Sequence, residues 1–218
     1  MKTKYLHKET TNSVLTMRIL TAADIHGAQY RLNILLENIE KYSPDLVIIC
    51  GDITQFGPGE VAKNFLNQIP IETLAVTGNI DTPDVYQAIN DSKATNIEMK
   101  KVTIDGVSFV GISGVNEIQN NNFFNKNNDI LDEKSVMVTH VPPFNTQDKV
   151  FMGKHAGSIE LKKVVDRFRP ILVLSGHIHE DPGFMKNNDT VFVNCSMGKR
   201  GEGALIEINK DISVKMLE

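Results

Sequence analysis

The chain has 218 residues and a formal net charge of −4, and 41% of its residues are hydrophobic while 23% are charged. These values are typical of a globular protein, and the negative charge does not favour nonspecific binding to nucleic acid or to a membrane surface. The two cysteines exclude a disulfide framework and indicate a reducing compartment, and no apolar run is long enough to span a bilayer, so we expect a soluble, cytoplasmic protein.

The first part of the chain alternates apolar strands with amphipathic helices. Residues 1–16 are polar and lack the apolar core of a secretion signal, and we interpret them as an N-terminal arm or an added edge. The remainder, 17–218, is interpreted as a single domain. Short apolar runs and apolar residues at helical spacing predict strands over 17–23, 46–50 and 73–77 and helices over 28–42, 59–68 and 83–91.

The second part of the chain is richer in β structure. An Asp105-Gly106 pair between two apolar runs predicts a hairpin, and Ser158 is a suitable N-cap for a helix. The other predicted elements are a loop with a short helix in 116–134, strands over 136–139 and 171–174, and short β segments in 183–216. This order of elements predicts a layered α/β protein with its helices outside.

Five of the predicted strands end in residue types that bind metal ions. Taken singly, each of these residues is explained better by a turn or by a structural histidine, but the set of five indicates a metal site. Residues i and i+2 of an extended chain point to the same side, so a D-x-H or H-x-H pair can reach one ion. The five strand ends are Asp24-Ile25-His26, Gly51-Asp52, Gly78-Asn79-Ile80-Asp81, His140 and Gly176-His177-Ile178-His179.

The types of ligand residue limit which metal ions are expected to bind. Imidazole and carboxylate groups without a thiolate suit Mn, Fe, Ni or Zn and argue against a structural zinc site built from cysteines. Seven ligands are too many for one ion. They suit two divalent ions a few ångströms apart that share one carboxylate, as in hydrolases of phosphoryl groups.

The order of these motifs resembles that of the calcineurin-like metallophosphoesterases, and the resemblance extends over roughly 17–210. It implies an α/β fold of four layers, α/β/β/α, in which two mixed β-sheets are flanked by helices and a dinuclear metal centre lies at the strand ends. The resemblance also implies attack on phosphorus by a metal-bridging hydroxide. It assigns Asp24, His26 and His179 to one ion, Asn79, His140 and His177 to the other, and Asp52 as the bridge.

The third motif departs from the family pattern. Most members read GNHD there, with a histidine that stabilises the transition state or protonates the leaving oxygen and an aspartate that orients it. This chain has Ile80, which cannot donate a proton, followed by Asp81. Three interpretations follow: a substrate whose leaving group needs little protonation, replacement of the acid by His155, or a metal-bound scaffold without activity. For His155 an ordinary structural role is the competing interpretation.

A second likeness involves the segment around His155. The stretches Pro142-Pro143-Phe144 and His155-Ala156-Gly157-Ser158, followed by a GHIHE motif, resemble a compact prokaryotic and archaeal subgroup whose substrates are mostly unassigned. The leading hypothesis is therefore a metal-dependent phosphoesterase that acts on a small phosphorylated substrate, a diester or a monoester, with a weak preference for diesters. A nuclease of the same superfamily and a metal-binding interaction module are the alternatives. Assembly into a homo-oligomer through an edge strand or the 1–16 arm is left open.

Overall fold

A computed structural model describes residues 16–114, 116–199 and 201–218. The helices of this part are α1 (Gln29–Tyr42), α2 (Gly59–Gln68), α3 (Pro83–Asn90), α4 (Glu117–Lys126) and α5 (Ile159–Phe168), with a short 3-10 turn at Phe151–Gly153. The strands are β1 (Met17–Ala22), β2 (Leu46–Cys50), β3 (Thr73–Val76), β4 (Thr95–Asn96), β5 (Lys100–Ile104), β6 (Val107–Gly111), β7 (Ser135–Val138), β8 (Leu172–Ser175), β9 (Gly183–Asn187), β10 (Thr190–Asn194), β11 (Ala204–Ile208) and β12 (Ile212–Met216).

The strands form two mixed sheets of six strands each. The first has the order β12-β11-β1-β2-β3-β4, and the second has the order β5-β6-β7-β8-β10-β9. Strands β1 to β4 run parallel to one another, as do β6, β7, β8 and β10, while the pairs β1–β11 and β5–β6 are antiparallel. The carboxyl ends of the parallel strands therefore meet at one edge of each sheet.

Three apolar clusters join these sheets and helices into four layers. One cluster lies between the sheets and includes Ile48 of β2 and Phe109 of β6. A second packs the outer face of the first sheet, including Val47, against α1, α2 and α3. The third packs the outer face of the second sheet against α4 and α5. The predicted α/β/β/α fold is confirmed, and β2 is buried on both faces, as its continuous apolar run predicts.

Local chemistry explains the element boundaries. Ser158 accepts a hydrogen bond from the backbone N–H of Leu161 and so caps α5, as predicted. Asp105 and Gly106 both have positive φ, 45° and 80°, which a two-residue turn between twisted strands requires, and the predicted hairpin is confirmed as β5–β6. The two-residue strand β4 was not predicted, because so short a segment shows no periodicity.

Two further features concern the N-terminus of the chain and membrane-spanning helices. The predicted N-terminal arm lies outside the described residues, apart from Thr16, so the division into arm and single domain stays a prediction. Within the described residues, no helix combines the length and apolarity needed to cross a membrane.

The two sheets approach each other closely where their parallel strands end. The backbone N–H of Asp24 donates to Gly51 O at 3.1 Å within the first sheet, and that of Gly176 donates to His140 O at 2.9 Å within the second. His140 Nδ1 bonds to the carbonyl of Cys50 at 2.9 Å and so links one sheet to the other. The loops that follow these strands therefore share one small region.

Candidate metal centre

The backbone at this region turns sharply directly after each strand. Four of the seven predicted metal ligands have positive φ: Asp24 (61°), His26 (54°), Asp52 (50°) and His177 (70°). Side chains other than glycine rarely adopt this left-handed conformation, and it costs free energy that functional sites often bear. These turns project the ligand side chains into the shared region instead of continuing the strands.

The first group of ligand atoms comprises Asp24, His26 and His179, whose donor atoms all lie within 4.8 Å of one another. His179 Nε2 lies 3.2 Å from Asp24 Oδ1 and 3.2 Å from His26 Nε2. His26 Nε2 lies 3.9 Å from Asp24 Oδ1. The structure thus brings together the three residues that the resemblance assigns to one ion.

The second group comprises Asp24, Asp52 and His140, again within 4.8 Å. His140 Nε2 lies 3.3 Å from Asp52 Oδ2 and 2.9 Å from Asn79 Oδ1. The ring of His177 lies edge-on to that of His140, with centroids 5.1 Å apart. All seven predicted ligands are therefore close neighbours. Asp24 belongs to both groups, whereas Asp52 belongs only to the second, and the bridging role predicted for Asp52 stays a prediction.

The donor atoms fit a cation better than they fit one another. A carbonyl oxygen only accepts, so the bond to Cys50 places a hydrogen on Nδ1 of neutral His140, and the lone pair of Nε2 faces the oxygens of Asn79 and Asp52. Asp24 Oδ1 and His26 Nδ1 are buried without a well-formed hydrogen bond. Electron pairs that converge in this way favour a bound metal ion, and imidazole with carboxylate is a ligand set for divalent metals.

The electrostatics show how the site balances its charges when only protons are present. Burial opposes ionisation of Asp24, but the neighbouring His179 and His140 outweigh it and lower its pKa to about 2. Burial also opposes the charge on His140, but the bond to Asp52 and the charge of Asp24 raise its pKa to about 9. Burial lowers the pKa of His26 and of His177. A proton on His140 thus compensates the buried carboxylates, a role that a metal ion can take over.

Asp81 is turned towards the main chain. Its carboxylate accepts hydrogen bonds from the backbone N–H groups of Gly78 (3.0 Å), Ile53 (3.1 Å) and Thr54 (2.9 Å), and from the Thr54 hydroxyl. Burial and the charge of Asp52 raise its pKa, although these bonds act against the rise. Asp81 therefore ties the loop after β2 to the loop after β3, and its predicted catalytic role stays a prediction.

His155 lies in the loop between β7 and α5. Its Nδ1 is 2.5 Å from Oδ1 of Asp148, and its ring packs beside Phe144 with centroids 5.5 Å apart. The contacts recorded for His155 in the described part of the chain include none of the seven predicted ligands. Its role as a replacement acid stays a prediction.

Three residues that support the site were not singled out from the sequence. Arg31 of α1 donates to the carbonyls of Asp24 (2.8 Å) and Gly198 (2.6 Å) and so holds the first loop. Buried Glu98 accepts from the backbone N–H and the hydroxyl of Thr77, just before the third motif. The third, Asp148, organises the loop that carries His155. No periodicity distinguishes these residues from ordinary surface charges.

Comparisons with known proteins agree with this geometry. The family model of the calcineurin-like phosphoesterases matches residues 17–181. An uncharacterized protein of Methanocaldococcus jannaschii is 33% identical over 201 residues, which cover 83% of this chain and 88% of that protein. The match to the family model spans all seven predicted ligands, from Asp24 to His179.

Solved structures show the same fold. The crystal structure of a Thermus thermophilus protein aligns with a TM-score of 0.71 at 12% identity, over 94% of this chain and 100% of that one. A dimetal phosphatase from Danio rerio aligns with a TM-score of 0.60 at 11% identity, over 92% of this chain and 95% of that one. At these identities the likeness establishes the architecture alone.

Proposed function

The chain belongs to the calcineurin-like phosphoesterase family and is a metal-dependent phosphoric ester hydrolase, and from that premise we propose that it works with two divalent ions on a small phosphorylated substrate. The observation that carries the proposal is the meeting of two ligand groups at Asp24. One site would be formed by Asp24, His26 and His179, and the other by Asn79, His140 and His177. Asp52 and Asp24 would stand between them.

Divalent ions at such a pair of sites supply an activated water and neutralise the charge that develops on the phosphoryl group. Other residues of the chain hold the backbone of the loops that carry the ligands. Arg31 fixes the backbone of Asp24, and Asp81 joins the two loops that carry Asp52 and Asn79. Hydrogen-bond partners of this kind orient the ligands of a metal site.

The identity of residue 80 bears on the substrate. The Ile80 side chain cannot protonate a leaving oxygen, and general acid help is worth about 10² to 10⁴ in rate. Phosphodiesters or monoesters with a readily expelled leaving group are therefore the proposed substrates, with a weak preference for diesters, unless another segment supplies a proton. Mn, Fe, Ni and Zn all suit the ligand set.

We also propose a cytoplasmic location, because Cys50 and Cys195 are buried free thiols, as a reducing compartment would maintain. Nucleic acid and membranes are not expected as partners of a chain with this net charge. A homo-oligomer would leave the metal chemistry within each chain, since both ligand groups come from one chain.

The test is a turnover assay on metal-stripped protein to which Mn²⁺, Fe²⁺, Ni²⁺ or Zn²⁺ is returned. Bis-p-nitrophenyl phosphate and p-nitrophenyl phosphate are compared, and bound metal is counted by elemental analysis. We expect two ions per chain, metal-dependent hydrolysis, and loss of hydrolysis in Asp52→Ala. His26→Ala and His140→Ala form a matched pair, and each is expected to lower the metal content by one ion.

Two outcomes would contradict the proposal. A single ion per chain in the wild-type protein would remove the dinuclear centre. Two bound ions without turnover of either substrate would favour the second candidate, a metal-bound interaction module, which the missing acid at Ile80 makes reasonable.

A further inference from the structure

The structure contains an aspartate–histidine pair in a segment that the metal centre does not use. Nδ1 of His155 lies 2.5 Å from Oδ1 of Asp148, and Asp148 is fully buried. A carboxylate accepts hydrogen bonds, so Nδ1 carries the hydrogen and Nε2 is the ring nitrogen left for other partners. The His155 side chain is 26% exposed, and within the described residues no hydrogen bond engages Nε2. This is the arrangement of a histidine held by an acid and ready to exchange a proton.

Asp148 is itself held rigidly. Its carboxylate accepts from the backbone N–H groups of Asn145 (3.1 Å), Thr146 (3.1 Å) and Gly157 (2.9 Å) in addition to His155. The Phe144 ring packs against the imidazole. The ring of His155 is therefore fixed in orientation from two sides, which a solvated surface histidine does not require.

The loop that carries this pair is attached to segments that hold predicted metal ligands. It begins two residues after His140, and its two ends are joined by a 2.8 Å bond from the N–H of Ser158 to Pro142 O. The middle of the loop contacts the turn that follows His179, where the N–H of Lys149 donates to Asp181 Oδ2 at 2.9 Å. Asn194 Nδ2 also joins the loop, at Gln147 O (3.3 Å), to that turn, at Asp181 O (3.0 Å). The loop thus directly follows the fourth ligand motif along the chain and is hydrogen-bonded to the turn after the fifth.

We propose that Asp148 positions His155 as the general acid of the reaction, in place of a donor at Ile80. This inference rests on the proposed phosphoesterase function and adds to it the source of the leaving-group proton. Asp148 is a positioning residue, because it acts on the substrate only through His155. Asp81, whose oxygens are bound by main-chain groups, is not needed for this step.

The proton and electron balance of the step is simple. A water oxygen forms a bond to phosphorus and its proton passes to solvent, while the bond between phosphorus and the leaving oxygen breaks. The electron pair of that bond stays on the leaving oxygen, which takes the proton from His155 Nε2 and departs as an alcohol. Neutral His155 then regains a proton from solvent, and Asp148 keeps its bond to Nδ1 throughout.

The first test measures how the rate depends on the leaving group. A series of methyl aryl phosphates from the p-nitrophenyl to the phenyl ester is hydrolysed by the metal-loaded wild type, His155→Gln and Asp148→Asn. We expect kcat for the phenyl ester to fall by about 10² in both variants, with little loss for the p-nitrophenyl ester and KM nearly unchanged. Asp132→Asn is the matched control, since Asp132 bonds Lys134 N and Ser135 at the opposite end of β7.

The second test reports position without any turnover. The imidazole proton signals of His155, identified by their loss in His155→Gln, are recorded with Mn²⁺ and with diamagnetic Zn²⁺ in the site. We expect the His155 signals to be strongly broadened with Mn²⁺ and sharp with Zn²⁺. In Asp148→Asn we expect a changed chemical shift for the proton on Nδ1 of His155. Sharp His155 signals in the presence of bound Mn²⁺ would place the residue too far from the reaction and overturn the inference.

The two proposals fail in different ways. If the wild type hydrolyses no ester, the proposed function fails, while the broadening experiment still places His155 near to or far from the ions. If the wild type is active but His155→Gln loses activity equally for all esters, or loses none, the phosphoesterase stands and the relocated acid is wrong.

Discussion

The backbone N–H of Ile80 donates a hydrogen bond of 3.1 Å to Oδ1 of Asp52. On its other side, the carbonyl of Ile80 accepts a hydrogen bond of 3.1 Å from the N–H of Phe56. The contribution of this residue to the metal centre therefore comes from its main chain, which every residue type except proline can supply. This relationship explains how a chain can lose the usual histidine of the third motif and still keep its ligand geometry.

The first prediction follows from that bond. Ile80→Ala and Ile80→His keep the backbone N–H that bonds Asp52. Both variants are therefore expected to bind Mn²⁺ within about threefold of the wild type, a difference in binding free energy below about 1 kcal/mol. Ile80→Pro removes the donor to a charged group and is expected to weaken binding by about tenfold or more. Isothermal titration calorimetry on the metal-stripped proteins measures both effects. A large loss in Ile80→Ala would show that the side chain matters for metal binding.

The second prediction concerns Asp81. Asp81→Ala leaves three partly buried backbone N–H groups without their acceptor, and we expect it to lower the free energy of unfolding by about 1–3 kcal/mol. Urea denaturation of the metal-free protein measures this. Asp132→Ala, which removes an exposed turn carboxylate, is the control and is expected to cost less than about 1 kcal/mol. If Asp81→Ala were fully stable but inactive, the catalytic role predicted from the sequence would be favoured over the structural one.

The ligand set could be predicted from the sequence for a definite physical reason. Each motif follows an apolar run, and the ends of parallel strands meet at one edge of a sheet, so residues as distant in the chain as Asp24 and His179 are brought together by the topology. Asp52 after β2 and Asn79 after β3 are adjacent for the same reason. The continuous apolar runs also predict which strands are buried on both faces.

The rest of the site could not be predicted in this way. The pairing of Asp148 with His155 depends on the path of an irregular loop, for which hydrophobic periodicity gives no signal. The left-handed backbone at His26 and His177 falls on the histidines themselves and not only on the neighbouring glycines, and no sequence pattern marks it. Arg31 looks in the sequence like any polar residue at the start of a helix, and only the folded chain shows that it bonds the carbonyl of Asp24.

The third prediction tests how tightly the second and third motifs pack. A Cβ atom on Gly78 would overlap the carboxylate and the backbone nitrogen of Asp52, and Gly78→Ala is expected to lower stability by about 1–3 kcal/mol and to weaken Mn²⁺ binding strongly. Gly106→Ala is the matched control. Its φ of +80° makes the change cost about 1 kcal/mol, but the space around it is open. Metal affinity equal to the wild type in both variants would contradict the close packing.

The fourth prediction is the dependence of metal-free stability on pH. The pKa of His140 rises from 6.5 to about 9, so its stabilising effect is complete below about pH 6.5 and is lost as the pH rises through about 9. The pKa of Asp24 falls from 3.8 to about 2, so its effect is present above about pH 4 and is lost as the pH falls through about 2. Thermal unfolding between about pH 6 and 10 is expected to show a decline that His140→Gln flattens. An unchanged profile in that variant would contradict the raised pKa.

The fifth prediction links the same proton to metal binding. An imidazole binds a metal only in its neutral form, so below about pH 9 an ion that occupies the second group must displace the proton of His140. The affinity for Mn²⁺ is therefore expected to rise about tenfold per pH unit between about pH 6.5 and 8.5, since one proton is exchanged for one ion. Calorimetric titrations in buffers of different ionisation enthalpy count the protons released, and we expect at least one per ion at the His140 site. In His140→Gln, which removes this site, the pH-dependent phase that belongs to the second group is expected to vanish. Binding by Asp24, His26 and His179 persists, with the pH dependence that the bond to Asp24 causes by raising the pKa of His179. A Mn²⁺ affinity that does not change with pH in the wild type would mean that His140 is already neutral before the ion binds, and it would contradict the raised pKa.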